Sequence, residues 1–247
     1  MRRLLPAPAR PSVALPFAPW ATSGTVLGVL LNHRGALAAL GDAVHQPPYK
    51  APPKAPVLYV RPRNTWLAGG GAVVVPADAA ELELGATLAA VIGRTVCQVD
   101  VADALEHVAG WLLVADLCIP HASLYRPSLR WRARDGFCPL APVASPRDAG
   151  ADPDALPITV EVDGRVVHET STGDRVRGAA QLIADVSEFM TLHPGDLLML
   201  GVADGAPRAR AGQWARITAP GLAALEIGFD AERGAAADAA AADAEAA

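Results

Sequence analysis

Residues 112–142 read LLVADLCIPHASLYRPSLRWRARDGFCPLAP, and the stretch places one acidic residue, Asp116, near the end of an apolar run. The run predicts a buried strand. Four arginines follow within nine residues: Arg126, Arg130, Arg132 and Arg134. Gly136 and Pro139 favour a loop here over a long helix. Because each guanidinium can donate two parallel hydrogen bonds, such a cluster is suited to carboxylates or phosphates. The alternative is a solvated charged loop.

Outward from this stretch, short apolar runs separated by Gly and Pro predict many short strands. The predicted strands cover residues 24–31, 57–60, 72–76, 82–94, 111–119, 158–162, 165–167, 196–202, 214–218 and 222–227. Asp163-Gly164 is a strong hairpin signal between two of them. Helices are predicted at residues 32–43, 100–107 and 179–190, the second capped by Asp100. This pattern predicts a β-rich α+β fold of mixed sheets with about three helices.

The composition restricts the class of protein. The 247 residues are 51% hydrophobic, which is enough for a sizeable core. Lys and Arg number 21 against 26 Asp and Glu, a net charge of −5. This argues against a nucleic-acid partner, because binding to phosphates needs a broad positive face. Three cysteines without CxxC spacing argue against a disulfide framework, and we expect a cytoplasmic protein.

The two ends differ in composition from the rest of the chain. Residues 1–21 contain prolines that interrupt any apolar helix, so we expect an extended proline-rich arm rather than a signal peptide. Residues 231–247 are rich in alanine and lack large apolar side chains, so we expect a frayed tail. Residues 22–230 are expected to form one domain. No apolar run reaches the length of a membrane span, so we expect no membrane partner.

Four passages, in this order, resemble the fumarylacetoacetate hydrolase family. They are GVLLNHRGALAALG (28–41), VLYVRPRNTW (57–66), LELGATLAAVIGR (82–94) and SEFMTLHPGDLLMLG (187–201). Each passage alone is a weak signal, but four in the right order are specific. The resemblance covers roughly residues 22–228. It implies a roll-like domain that normally dimerises, with the active site at the mouth of a central barrel.

Within that family, residues 32–66 and 125–142 are most similar to the branch that acts in 4-hydroxyphenylacetate degradation. The resemblance implies unsaturated 2-oxo or 2-hydroxy di- and tricarboxylate substrates. The implied reactions are decarboxylation of 5-oxopent-3-ene-1,2,5-tricarboxylate and isomerisation of 2-hydroxyhepta-2,4-diene-1,7-dioate. Such polyanions would give the arginine cluster a role.

The family's metal site is altered in this sequence. Family members bind Mg²⁺ or Mn²⁺ through two glutamates and a later aspartate, and hard cations need such oxygen ligands. The glutamate positions fall on Gly85 and Thr87, whereas Asp116 matches the aspartate. Glu81 and Glu83 lie four residues earlier, about 13 Å along a strand, and are interpreted as its wet face. We therefore expect no metal cofactor.

Other family positions suggest roles for basic residues. The resemblance places Arg132 at a lysine near the oxo-acid and Arg61 at the lysine of a Lys-Pro turn. It places Ala36 at the position of a histidine, while Asn32 is retained.

We predict Asp116, His121 and Arg132 as catalytic residues. Histidine is a common proton-transfer residue in enzymes, so His121 could transfer a proton, with Asp116 orienting it or acting as base. Arg61, Tyr125 and Arg126 are predicted to bind substrate.

Each role has a structural alternative, which the sequence leaves open. His121 could be a surface loop residue, Tyr125 could be packing, and Arg126 and Arg132 could be solvated. A buried acid such as Asp116 is rare unless it is paired, which favours a functional role.

Three functions remain open. The first is metal-independent decarboxylation or isomerisation, in which arginines stabilise an enolate. The second is a non-catalytic subunit that assembles with a metal-bearing homologue. The third is an acylpyruvate-type C–C hydrolase, disfavoured because Ala36 replaces the histidine. Partners are expected to be a small carboxylate and a second subunit, identical or related.

Overall fold

Two β-sheets make up most of the computed structural model, which describes residues 24–121, 128–142 and 144–232. The strands are β1 (Val26–Leu30), β2 (Val57–Arg61), β3 (Trp66–Ala68), β4 (Ala72–Val75), β5 (Leu82–Ile92), β6 (Val108–Cys118), β7 (Cys138–Leu140), β8 (Ser145–Pro146), β9 (Pro157–Val162), β10 (Arg165–Ser171), β11 (Leu197–Met199), β12 (Arg208–Ala209), β13 (Trp214–Thr218) and β14 (Leu225–Ala231). The α-helices are α1 (Arg34–Ala38), α2 (Leu129–Arg132) and α3 (Ala179–Ser187). Short 3₁₀ helices lie at Gly41–His45, Arg63–Thr65, Ala104–His107 and Thr172–Asp174.

Both sheets are mixed. The larger follows the order β2-β1-β11-β5-β6-β7-β3, with β12 paired to β5 and β8 paired to β6. The smaller follows the order β10-β9-β13-β14-β4. Parallel pairing joins β1 to β11, β3 to β7 and β4 to β14, and the other pairs are antiparallel. The prediction of a β-rich α+β fold with mixed sheets is confirmed.

The antiparallel pair of β5 and β6 forms the centre of the larger sheet. Both strands are almost continuously apolar, the pattern of a strand that is covered on both faces. Every β5 residue is buried except Glu83, and every β6 residue except Ala109. The register places Gly85 of β5 opposite Asp116 of β6. The charged side chain of Asp116 therefore lies beside a residue that has no side chain.

Glycine at position 85 lets another segment approach β5. A Cβ atom at Gly85 would lie 2.8 Å from the backbone oxygen of Asp116 and 2.9 Å from a methyl group of Val202. Val202 belongs to the loop after β11. The missing side chain therefore determines how that loop packs over the strand pair.

Several predicted elements match closely. The hairpin at Asp163-Gly164 joins β9 to β10. The helix predicted at residues 179–190 ends earlier, at Ser187; it buries Leu182, Ile183 and Val186, whereas Phe189 and Met190, which were expected on the same buried stripe, are exposed and half-buried. Among the described residues, no helix has the length and apolar character needed to cross a bilayer.

Other predicted elements were wrong in detail. Residues 100–107 form turns and a 3₁₀ helix at Ala104–His107 rather than an α-helix, and no side chain caps its N-terminus. The helix predicted at residues 32–43 is split into α1 and the 3₁₀ helix at Gly41–His45, because Gly41 has a positive φ of 50°. The predicted strand at 222–227 begins later, at Leu225.

The arginine-rich loop contains α2, a single helical turn that the glycine and proline signals did not predict. The predicted arm (1–21) and the tail from residue 233 onward lie outside the described residues.

The close packing at Gly85 predicts a position-specific cost of adding a methyl group. Gly85→Ala is expected to lower the free energy of unfolding by about 1–3 kcal/mol, because Val202 or the Asp116 backbone must move. Gly228→Ala is the matched control, since its Cβ would meet Ala72 at an ordinary 3.6 Å. Urea unfolding of the two variants checks this. Equal unfolding midpoints would show that the loop does not pack tightly on β5.

Candidate functional site

A cleft with a volume of about 340 Å³ opens beside the central strand pair. One wall runs from β1 into α1, and another is the loop at residues 202–206. Its polar lining consists of Tyr59, Glu83, Asp116, Arg132, Asp204 and Arg208. The cleft is large enough for a small organic acid.

Asp116 is the centre of a hydrogen-bonded group at this cleft, which we term the Asp116 cluster (Tyr59, Arg61, Asp116 and Arg132). Its Oδ1 accepts a hydrogen bond from Nη2 of Arg61. Its Oδ2 accepts from the Tyr59 hydroxyl at 2.6 Å and from Nη1 of Arg132 at 2.7 Å. Both carboxylate oxygens therefore accept hydrogen bonds, Oδ1 from a guanidinium group and Oδ2 from a guanidinium group and a phenol hydroxyl.

Three segments far apart in sequence bring these side chains together. Tyr59 and Arg61 lie two residues apart on β2, so their side chains share one face of the strand. Arg132 is the last residue of α2. Arg61 donates to the backbone oxygen of Arg132 and, at 2.7 Å, to that of Leu117. Arg61 therefore ties β2 to β6 and to the end of α2.

The charges of the cluster stabilise one another. Burial alone would raise the pKa of Asp116, but Arg61 and Arg132 outweigh it, and the pKa lies below the usual carboxyl range. Burial and the charge of Asp116 raise the pKa of Tyr59 well above 10, so its phenol stays protonated. Burial acts to lower the pKa of both arginines, yet Asp116 raises it overall. Two guanidinium groups and one carboxylate leave the cluster itself with one formal positive charge, and the other charged residues of the lining are Glu83, Asp204 and Arg208.

The side chains present do not fit a divalent cation. The space in front of Gly85 is filled by Val202, and the hydroxyl of Thr87 donates to the backbone oxygen of Gly201 at 2.7 Å. The carboxylate of Asp116 already accepts hydrogen bonds from the guanidinium groups of Arg61 and Arg132. Within the described part of the chain, no three His, Cys, Asp or Glu side chains are close enough to hold a metal ion together.

The structure does not bring His121 to Asp116. Nδ1 of His121 lies 3.0 Å from the backbone oxygen of Ile119, and its ring stacks on Trp131 with centroids 6.3 Å apart. His121 does not line the described cleft. The predicted substrate-binding residues Tyr125 and Arg126 lie outside the described residues.

The arginine-rich stretch divides into two groups. Arg132 points into the Asp116 cluster, whereas Arg130 and Arg134 lie 3.8 Å and 3.0 Å from the carboxylate of Asp78 on the surface. A surface ion pair of this kind contributes little to the free energy of unfolding. Of the three described arginines in the stretch, only Arg132 reaches the cleft.

Sequence reasoning missed Tyr59 and misjudged the position of Glu83. Tyr59 is two residues before Arg61 on a predicted strand, and that spacing could have placed both on one face. Glu83, interpreted as part of a wet strand face, lines the cleft beside Arg132. The buried thiols of Cys118 and Cys138 have pKa values raised by burial to about 12, so neither is a ready nucleophile.

Comparison with known proteins gives a consistent family. A family model described as fumarylacetoacetate (FAA) hydrolase C-terminal matches residues 25–229. The chain is 42% identical over 203 residues to the 4-hydroxyphenylacetate degradation bifunctional isomerase/decarboxylase of Salmonella dublin, and 40% identical to that of Escherichia coli. Each match covers 82% of this chain and 46% of the relative. The chain thus spans about half the length of these curated relatives.

Solved structures share the fold. The 5-carboxymethyl-2-hydroxymuconate delta-isomerase of Mycobacterium smegmatis has a TM-score of 0.72 at 26% identity, covering 85% of this chain and 80% of that one. A fumarylpyruvate hydrolase from Pseudomonas aeruginosa, in complex with Mn²⁺ and pyruvate, has a TM-score of 0.72 at 21% identity, covering 85% of this chain and 90% of that one. The second likeness is one of fold alone.

The Asp116 cluster predicts a large stability loss when its carboxylate is neutralised. Asp116→Asn is expected to lower the free energy of unfolding by about 3–5 kcal/mol, because it leaves the buried guanidinium group of Arg61 and the partly buried one of Arg132 without a counter-charge. Asp148→Asn is the control, since Asp148 is 81% exposed beside Arg147 and such a surface pair contributes little to the free energy of unfolding. Chemical denaturation compares them. A loss no greater than the control's would contradict a charged, paired Asp116.

The lowered pKa of Asp116 also predicts how that loss depends on pH. A carboxyl whose pKa is lower in the folded state stabilises the fold fully above its unfolded pKa of about 4. The contribution disappears as the pH falls through that value toward the folded pKa. The difference in unfolding free energy between wild type and Asp116→Asn should therefore be constant from about pH 7 to pH 5 and shrink below about pH 4. A difference that increases at acidic pH would contradict a lowered pKa of Asp116 in the folded state.

Proposed function

The chain belongs to the fumarylacetoacetate hydrolase family, and on that premise we propose that it isomerises or decarboxylates an unsaturated 2-oxo di- or tricarboxylate without a divalent cation. The observation that carries the proposal is the Asp116 cluster, in which two guanidinium groups meet one carboxylate beside a cleft of suitable size. An enzyme of this kind must stabilise the negative charge that develops on an enolate oxygen.

The substrate class is supported by the relatives. Curated proteins 40–42% identical to this chain carry isomerase/decarboxylase names in 4-hydroxyphenylacetate degradation. A structural neighbour at 24% identity bears the name 2-hydroxyhepta-2,4-diene-1,7-dioate isomerase, which adds support for the fold only. The proposed substrates are 2-hydroxyhepta-2,4-diene-1,7-dioate for isomerisation and 5-oxopent-3-ene-1,2,5-tricarboxylate for decarboxylation.

Arg132 is the proposed anchor for the 2-oxo acid end of the substrate. Its Nη1 is held by Asp116, and no hydrogen bond to a described residue engages its Nη2. A guanidinium held in place by a buried carboxylate needs little reorganisation when charge develops on the enolate oxygen. Asp116 and Arg61 act by fixing that orientation, and Tyr59 completes the hydrogen bonds of the carboxylate.

In the proposed decarboxylation, the bond to the departing carboxylate breaks and its electron pair enters the conjugated enolate. CO₂ leaves, and a proton then adds to the carbon. The substrate-binding roles of Tyr125 and Arg126 stay predictions. The proton-transfer role of His121 also stays a prediction, one that the described cleft does not support.

A second candidate function is that of a partner subunit without its own activity. The observation that favours it is that Gly85 and Thr87 bring no carboxylate to the side of Asp116. Such a subunit would pair with a related, metal-bearing chain. Under either function, the proposal includes a cytoplasmic location and a dimer, formed with an identical or a related subunit.

The metal-independent function predicts activity that survives chelation. The purified chain, assayed alone with both proposed substrates, should release CO₂ or change the ultraviolet absorbance of the diene at equal rates with and without EDTA. Activity abolished by EDTA and restored by Mg²⁺ or Mn²⁺ would contradict the proposal. Activity that appears only after a related subunit is added would favour the second candidate.

The anchoring role of Arg132 predicts a difference between neighbouring arginines. Arg132→Gln should lower kcat/KM about 100-fold or more, because the enolate loses its charged donor. Arg130→Gln should stay within about twofold of wild type, since Arg130 lies on the surface near Asp78. Steady-state kinetics with both substrates checks this, and thermal unfolding confirms that each variant is folded. Equal kinetics of the two variants would remove Arg132 from the site.

A further inference from the structure

Of the acids that line the cleft, Asp116 is poorly suited to accept a proton. Both of its oxygens accept hydrogen bonds, two of them from buried guanidinium groups. Its pKa lies below the normal carboxyl range, after the arginines have outweighed the effect of burial. A base in this environment would have to break its ion pairs in order to take a proton. Proton transfer therefore needs another group.

Asp204 is the second acid of the cleft, and it faces His33. Its Oδ1 lies 3.4 Å from Nδ1 of His33, which is almost fully buried. Asp204 belongs to the wall formed by the loop at residues 202–206, and His33 directly precedes α1. Asp204 is thus placed to hold the loop against the start of α1.

Glu83 is the third acid, and its carboxylate is free. It lines the cleft, and it makes no hydrogen bond or ion pair with any residue in the described ranges. Glu81, two residues earlier, is by contrast paired with Arg208 and Arg210 at 3.1 Å and 3.2 Å. Glu83 is also the one β5 position that is not buried. An unpaired carboxylate is available to exchange a proton.

The sheet register places Glu83 next to the anchor. Glu83 lies opposite Cys118, and Gly85 lies opposite Asp116, so Glu83 and Asp116 are diagonal neighbours on one face of the strand pair. Such positions are about 7–8 Å apart. Burial acts to lower the pKa of Arg132, whereas the charges of Asp116 and, to a smaller extent, Glu83 raise it. Glu83 therefore lies beside the group that we propose to hold the substrate.

We infer that Glu83 is the catalytic residue that moves the proton in the isomerisation, while Asp116 positions the arginines. The inference rests on the proposed function and assigns a further residue to it. The carboxylate of Glu83 accepts the proton of the enol hydroxyl, and the O–H electron pair forms the carbonyl. The double bonds shift along the chain, and the far carbon of the diene takes the proton back from the carboxylic acid. Glu83 returns to its ionised form with no net change.

The same residue serves the decarboxylation. After CO₂ has left, the dienolate carries the electron pair of the broken bond. Glu83 in its neutral form donates its proton to carbon, and water then restores that proton. The electron pair comes from the O–H bond in the isomerisation and from the bond to the departing carboxylate in the decarboxylation. In both reactions Glu83 donates the proton to carbon, so one carboxylate suffices for both.

The test compares Glu83→Gln with Glu81→Gln and Glu83→Asp. The substrate is 2-hydroxyhepta-2,4-diene-1,7-dioate in D₂O, with turnover followed by ultraviolet absorbance and deuterium at the product carbon followed by NMR. Glu83→Gln should lower kcat about 100-fold or more while KM changes less than about threefold, because the isosteric amide keeps the shape and cannot carry the proton. Glu83→Asp should recover part of the rate. Glu81→Gln should behave as wild type.

The outcomes separate the two proposals. If wild type turns over the substrate and Glu83→Gln keeps a kcat within about threefold of it, the inference about Glu83 is overturned and the proposed function stands. If wild type shows neither turnover nor deuterium incorporation, the proposed function fails and takes the inference with it. A loss in Glu83→Gln that appears in KM rather than in kcat would assign Glu83 to binding, which also overturns the inference.

Discussion

The carboxylate of Asp116, buried between two guanidinium groups, is the interaction on which the site depends. A lone buried charge costs several kcal/mol, so each member of the group is tolerable only because the others are present. Arg61 is 1% exposed and Asp116 is 3% exposed, so neither can find a substitute partner in water. The interaction therefore joins β2, β6 and α2 into one arrangement, and the position of Arg132 at the cleft follows from it.

The surroundings of this group explain why the strand pair differs from a cation site. Positions 85 and 87 of β5 face the region of Asp116, yet one has no side chain and the other is turned to the backbone of Gly201. Val202 packs into the space that a side chain at position 85 would need. Positive charge reaches the carboxylate from arginines instead. Among the described residues, the cationic groups that bind this carboxylate are the guanidinium groups of Arg61 and Arg132.

The fold was largely predictable because its signals are local. The apolar runs of β5 and β6, the Asp-Gly hairpin and the stripe of α3 each depend on residues close in sequence. The resemblance to the family aligned these elements, and the match of residues 25–229 confirms the family. The helix predicted at residues 100–107 was wrong, because capping residues cannot compensate for the few apolar positions in so short a segment.

The site was predictable only in part, because its contacts are long-range. Asp116, Arg61 and Arg132 could be grouped through the family positions, and the structure brings them together. The spacing of Tyr59 and Arg61 places both on one face of β2, but the position of that face beside Asp116 depends on the pairing of β2 with β1, which is not a local signal. The spacing of Arg130, Arg132 and Arg134 also does not tell which one turns inward. Arg132 points away from the other two because α2 is helical there, and that helical turn was not predicted.

The central claim is that arginine side chains, and not a divalent cation, neutralise the carboxylate of Asp116. The most direct measurement is a titration of the EDTA-treated protein with Mn²⁺, in which the electron paramagnetic resonance signal reports the free ion. The account predicts that the free-ion signal follows the added Mn²⁺ from the first addition, in wild type and in Asp116→Ala alike. Tight uptake of one Mn²⁺ per chain by wild type, lost in Asp116→Ala, would contradict it.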